Sequence, residues 1–120
     1  MLDYDQSSSN SVITSDRVNG TAVFGADGQQ VGTIDHLVID KVSGKITYAV
    51  MAFGGFLGMA QDHHPIPWGA LKYDTSLGGY VTGITEDQLR GAPARTEDWY
   101  RDRQWEERTY SHYGLPYYWI

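Results

Sequence analysis

Two adjacent histidines, His63 and His64, follow Asp62, and Asp35, Asp40 and Asp74 supply further carboxylates. An imidazole beside a carboxylate can exchange protons near neutral pH, because the unperturbed histidine pKa is about 6.5. His63 and His64 are therefore the candidate pH-responsive residues. The same pair suits a metal poorly. Neighbours on a strand point to opposite faces, and no spaced ligand motif brings His36 or His112 to them. The aspartates fall where turns and strand ends are expected, and read as local backbone acceptors rather than as a general acid and base. Ser43 and Ser76 lie in turns without a nucleophile elbow. Gly54-Gly55-Phe56-Leu57-Gly58 has the glycines of a phosphate cradle. A P-loop needs Lys and then Ser or Thr after its last glycine, and Met59-Ala60 follows instead. The segment reads as a tight reversal that exposes Phe56 and Leu57 as a contact patch. No enzyme activity, cofactor or metal site is expected.

The elements that must hold these residues are short. Strands are expected over 21–24, 31–40, 45–53, 63–67, 71–73 and 80–82, separated by turns at 26–29, 41–44 and 74–79. Alternation breaks among Ile34, Leu37, Val38 and Ile39, which predicts a bulge or bend near His36. In the strand over 45–53 one face carries Ile46, Tyr48, Val50 and Ala52 and is expected to be core. The other carries Thr47, Ala49, Met51 and Phe53 and is apolar toward its end, so both sides need cover. Pro65 and Pro67 place the strand over 63–67 at an edge or open it at that point, and Trp68 anchors the corner that follows. Close-spaced strands with Gly and Asp between them predict a small antiparallel sandwich or barrel.

Thr85-Glu86-Asp87-Gln88 fits a capping box for a short helix ending near Gly91, with Pro93 barring continuation. Thr96 is expected to cap a second helix running to about His112, with Gly114 as its stop and a solvated Glu/Arg face. The last 22 residues hold eight aromatics: Trp99, Tyr100, Trp105, Tyr110, Tyr113, Tyr117, Tyr118 and Trp119. Disordered tails are poor in aromatics, so this end should dock on its own barrel or on a partner subunit. The candidate partner or dimer contacts are Phe53, Phe56, Leu57, Trp68, Trp105, Tyr117, Tyr118 and Trp119.

Across 120 residues the net charge is −6, with nine Lys and Arg against fifteen Asp and Glu. That balance disfavours direct nucleic-acid contact. Cysteine is absent, which excludes disulfides and thiolate metal sites. No basic segment followed by an apolar run opens the sequence, and no stretch reaches the roughly 20 apolar residues of a membrane helix. A cytoplasmic protein is expected, with a mobile tail over 1–12, a domain over 13–94 and an aromatic-rich helix and tail over 95–120.

Several ordered motifs resemble the PRC-barrel family. They are Val23-Phe24 with Gln29-Gln30-Val31-Gly32-Thr33-Ile34, then Val38-Ile39-Asp40 with Gly44-Lys45-Ile46-Thr47-Tyr48-Ala49-Val50. Phe53-Gly54-Gly55-Phe56-Leu57-Gly58, Pro65-Ile66-Pro67-Trp68, Leu71-Lys72-Tyr73 and the closing segment Ile84-Thr85-Glu86-Asp87-Gln88-Leu89 continue the match. The resemblance implies an all-β fold, a small six-stranded antiparallel barrel, here followed by short C-terminal helices. The family includes the cytoplasmic part of the photosynthetic reaction-centre H subunit and the C-terminal domain of a ribosome-maturation factor. It thus implies a non-enzymatic protein-binding or assembly module. The expected roles are an accessory of a photosynthetic or electron-transport complex, peripheral to the membrane, or a ribosome-assembly adaptor acting through a protein partner. The second apolar face of the central strand adds the expectation of a homodimer.

Overall fold

The computed structural model describes residues 12–53 and 62–119. The expected glycine-rich reversal, with Phe56 and Leu57, lies outside the described residues, as does nearly all of the expected N-terminal tail. A single helical turn, α1 (Ser15–Val18), leads into β1 (Ala22–Phe24), β2 (Gln30–Ile39), β3 (Ile46–Phe53) and β4 (Asp62–Pro67). A 3-10 corner, Trp68–Ala70, then leads from β4 into β5 (Leu71–Asp74), which is followed by β6 (Gly79–Thr82). The chain closes with α2 (Glu86–Arg90), a second 3-10 turn at Trp99–Arg101 and α3 (Arg103–Tyr113).

The turns are set by aspartate and glycine, as their types dictate. Asp27 Oδ1 accepts the Gln29 N–H at 3.0 Å between β1 and β2. Asp40 Oδ2 accepts the Ser43 hydroxyl at 2.6 Å between β2 and β3. Asp74 Oδ1 accepts the Ser76 N–H at 2.8 Å between β5 and β6. These carboxylates are engaged with their own turns.

Among the described residues the strands form one sheet in the order β4-β3-β2-β1-β6-β5. Val23, Ile34, Met51, Ile66, Leu71 and Tyr80, one from each strand, meet in a single buried cluster. The sheet therefore curls around one core. The pairing is antiparallel except between β1 and β6, which run parallel. The cause is the Trp68–Ala70 corner. β1 to β4 alternate in direction, as do β5 and β6. The corner after β4 carries the chain onward without reversing it, so the alternation slips by one strand.

Register breaks between Ile34 and His36, where the sequence predicts a bulge. Gly32 lies opposite Phe53 at a close approach: a Cβ there would stand 2.3 Å from the Ala52 carbonyl oxygen. The capping box is complete, with Gln88 N–H donating to Thr85 Oγ1 at 3.2 Å and Thr85 N–H to Gln88 Oε1 at 2.9 Å.

Two expectations are corrected. The face of β3 that enters the barrel core is the one with Ala49, Met51 and Phe53. Tyr48 points out of the barrel and is covered by α3. A buried phenol needs a hydrogen-bond partner, and Tyr48 finds one on this outer face, donating to Glu106 at 2.8 Å. The final helix also starts later than Thr96. Residues 96–98 are not helical, Asp102 is the N-cap, and its carboxylate accepts the Trp105 N–H at 3.1 Å. Gly114 ends the helix at φ 71°, the left-handed conformation that favours glycine.

Candidate functional site

The outward face of β3 and the inward face of α3 make the most organised polar site among the described residues. Trp105, Glu106, Thr109 and Tyr110 are the buried residues of α3. Their spacing places them on one side of a 3.6-residue helix. Tyr48 rises from β3 between them. Trp99 packs from the 3-10 turn, and Tyr117, Tyr118 and Trp119 fold back after Gly114. The Tyr48 ring lies 5.6 Å from Trp99, 5.7 Å from Trp105, 5.6 Å from Tyr110 and 6.2 Å from Tyr118. Most of these contacts are edge-to-face, the arrangement aromatic quadrupoles favour.

Glu106 sits at the centre with 3% of its surface exposed. Its Oε2 accepts the Tyr48 hydroxyl at 2.8 Å and the Tyr118 hydroxyl at 2.6 Å. Its Oε1 lies 3.4 Å from Arg103 Nε. The Arg103 guanidinium also stands 3.8 Å above the centre of the Trp119 ring, and Trp119 stacks on Tyr117 at 4.6 Å. Tyr110 donates instead to the Thr47 carbonyl oxygen at 2.9 Å. Burial, then the Glu106 carboxylate, pushes the Tyr48 phenol well above its ordinary range. Tyr118 moves the same way for the same reasons in the same order. Burial also raises Tyr110 and pushes Tyr113 up to about 12.

Glu106 and Tyr48 are the residues that sequence reasoning misplaces. Glu106 is expected on a solvated face and is buried; Tyr48 is expected inside the barrel and lies outside it. The available signal is positional: Glu106 directly follows Trp105 and lies four residues before Tyr110, within an aromatic stripe.

The expected contact residues separate accordingly. Trp105 is 1% exposed, and its indole N–H donates to the Pro93 carbonyl at 3.4 Å. Tyr117, Tyr118 and Trp119 are half-buried against the same chain. Phe53 belongs to the barrel core, and Trp68 packs against that core and against Tyr80 at 5.4 Å. The cover that β3 needs therefore comes in cis.

The histidines form a different, exposed group. Asp35 Oδ2 lies 2.6 Å from His36 Nδ1, and its Oδ1 lies 3.6 Å from His63 Nε2. The hydrogen bond with His36 lowers the Asp35 pKa. His64 points the other way, with its ring edge-on to Phe53 at 5.7 Å. The carboxylate near His63 is thus Asp35, while the Asp62 side chain falls outside what is described. His112 Nε2 is 2.7 Å from the Gln88 carbonyl and ties α3 to α2. No group of three or more His, Asp or Glu among the described residues is arranged to hold a metal. No described helix is long and apolar enough to cross a membrane.

The fold and this site define a small curled β-barrel carrying a helical strap on its outer face. The profile described as the PRC-barrel domain matches residues 11–89. That is well over half of the chain, which belongs to the PRC-barrel family. The chain is 28% identical over 71 residues to a Deinococcus radiodurans protein described as uncharacterized, covering 59% of this chain and 25% of that one. A solved structure from Pseudomonas aeruginosa, named for 16S ribosomal RNA processing (RimM), aligns at 20% identity with a TM-score of 0.42. It covers 62% of this chain and 45% of the other. The chain therefore spans about a quarter of the first relative's length and under half of the second's. α3 and the residues after it lie beyond the matched segment.

Proposed function

We propose that this PRC-barrel chain is a non-catalytic docking module for the assembly of a larger complex, engaging a basic protein partner. Ribosome assembly is the setting we favour, with the chain acting through a ribosomal protein rather than on RNA. The observation that carries this reading is the charge: −6 overall, with fifteen acids to nine bases. Several of those bases are already paired within the chain, Arg90 with Glu86 at 2.6 Å, Arg101 with Asp98 at 3.3 Å and Arg103 with Glu106 at 3.4 Å. Such a surface repels phosphate and attracts basic proteins. The α3 dock supports the same reading, since it completes the module within one chain. Nothing in the comparisons or the site favours the photosynthetic alternative.

The test is retention on the immobilised full chain, using small-subunit ribosomal proteins and, separately, protein-free ribosomal RNA. The expected result is capture of one or a few basic proteins at low salt, lost near 1 M salt where the screening length falls to about 3 Å, and no RNA capture. Direct RNA retention, or no basic protein retained at low salt, overturns the reading.

A further inference from the structure

We propose that the α3–β3 dock is a one-electron redox site, in which Tyr48 or Tyr118 is oxidised by a radical oxidant of the peroxyl class while its phenolic proton passes to Glu106. The inference is independent of the docking reading.

A phenol in a water-poor interior resists losing an electron alone, because the radical cation left behind would be unsolvated. The loss becomes accessible when the proton leaves with the electron. Glu106 Oε2 lies 2.8 Å from the Tyr48 oxygen and 2.6 Å from the Tyr118 oxygen, within the reach that proton transfer needs. The step balances. The oxidant gains one electron and becomes a peroxide anion. The phenolic O–H bond breaks, an O–H bond forms on Glu106, and a neutral phenoxyl radical remains. A reductant of the thiol or ascorbate class then returns the electron, and Glu106 returns the proton. No thiol of the chain itself competes, since cysteine is absent.

The rings also provide a route to the surface. Tyr48 is 5.6 Å from Trp99, and Trp99 is 5.9 Å from Tyr100, which is 51% exposed. On the other side Tyr118 lies 4.8 Å from Trp119, which stacks on Tyr117 at 4.6 Å. An oxidising equivalent arriving at Tyr100 can move inward through Trp99 and settle on the phenol whose proton has an acceptor. Tyr110 is the internal comparison: it packs 5.6 Å from Tyr48 but donates to a peptide carbonyl, which is a poor base.

The test is photo-oxidation of the full chain by a flash-quenched ruthenium polypyridyl complex, followed by transient absorption and electron paramagnetic resonance. A tyrosyl radical should form and outlive that of free tyrosine amide about tenfold or more. Formation should be slower in deuterated water. Glu106→Gln should slow formation by about tenfold to a hundredfold, and the Tyr48→Phe/Tyr118→Phe double variant should lose the long-lived tyrosyl component, leaving only the short-lived signal of exposed rings such as Tyr100. Tyr73→Phe, at an exposed ring outside the dock, should leave the long-lived signal unchanged. Circular dichroism checks each variant's fold. If the substituted chains do not fold, the lifetime and isotope effect of the unaltered chain decide. A lifetime equal to that of free tyrosine with no isotope effect overturns the proposal. So does a folded double variant that keeps the long-lived tyrosyl component.

Discussion

Replacing Tyr48 by Phe isolates the polar half of the dock from its packing. The ring and its contacts with Trp99, Trp105, Tyr110 and Tyr118 remain, and only one hydroxyl is lost. That hydroxyl donates at 2.8 Å to a carboxylate that is 3% exposed. Hydrogen bonds to charged groups contribute about 1.5–3 kcal/mol, against about 0.5–1.5 kcal/mol for neutral ones. For a domain of this size each kcal/mol moves the melting temperature by about 3–5 °C, so a fall of about 5–15 °C is expected. Tyr110→Phe is the control, since its hydroxyl donates to the neutral Thr47 carbonyl and its loss should cost less. Urea unfolding followed by circular dichroism reads both variants. Combining Tyr48→Phe with Glu106→Gln in a double-mutant cycle should show coupling of about 1 kcal/mol or more. A loss for Tyr48→Phe below about 0.5 kcal/mol, or no larger than that for Tyr110→Phe, would refute the claim that Glu106 organises this interface.

Alkaline pH should unfold the chain cooperatively. A phenol whose folded pKa is raised contributes stability that is complete below pH 10 and is lost as pH climbs toward the folded value. Tyr113, pushed up from 10.0 to about 12, should lose its contribution as pH rises from 10 through 12, and Tyr48, Tyr110 and Tyr118 add to the loss. Part of the phenolate absorbance should appear only as the folded circular dichroism is lost; ionisation of all nine tyrosines with the fold intact would refute the burial argument. Gly32→Ala should destabilise by about 1–3 kcal/mol, because its Cβ would meet the Ala52 carbonyl oxygen at 2.3 Å; an unchanged urea midpoint would refute it. A chain ending at Pro93 should expose the outward face of β3, bind an apolar dye and self-associate by light scattering. Unchanged mass and dye binding would show that α3 covers nothing essential.

The parts of the fold that the sequence makes legible are those governed by local chemistry. Thr85 and Gln88 announce their reciprocal cap, broken alternation around His36 announces the bulge, and Asp74 and Gly78 announce a turn. What stays hidden depends on contacts between distant segments. β3 is apolar on both faces, so periodicity alone cannot tell which one enters the curl. The choice rests on Tyr48 finding Glu106, a partner 58 residues away. The parallel β1–β6 pair is equally remote from its own residues, because it follows from a corner at Trp68–Ala70 that turns the chain without reversing it. Glu106 is read as solvated because carboxylates seldom go inside, and nothing on α3 itself shows that two phenols from elsewhere will meet it.

The strap's attachment points also bear on the order in which the molecule comes together. Tyr110 reaches Thr47 across 63 residues, and Tyr48 reaches Glu106 across 58. Joining such distant points in an unstructured chain costs about 3–4 kcal/mol of closure entropy before any contact rewards it. Once β1 to β6 have formed, only the stretch between β6 and α3 remains to be closed, and the cost falls by about 1 kcal/mol. Assembly of the barrel first and of α3 last is the cheaper sequence of events. The reverse path has the same shape: α3 can lift and return while the sheet stays intact, so its amides should exchange with solvent through an opening that the barrel amides do not share.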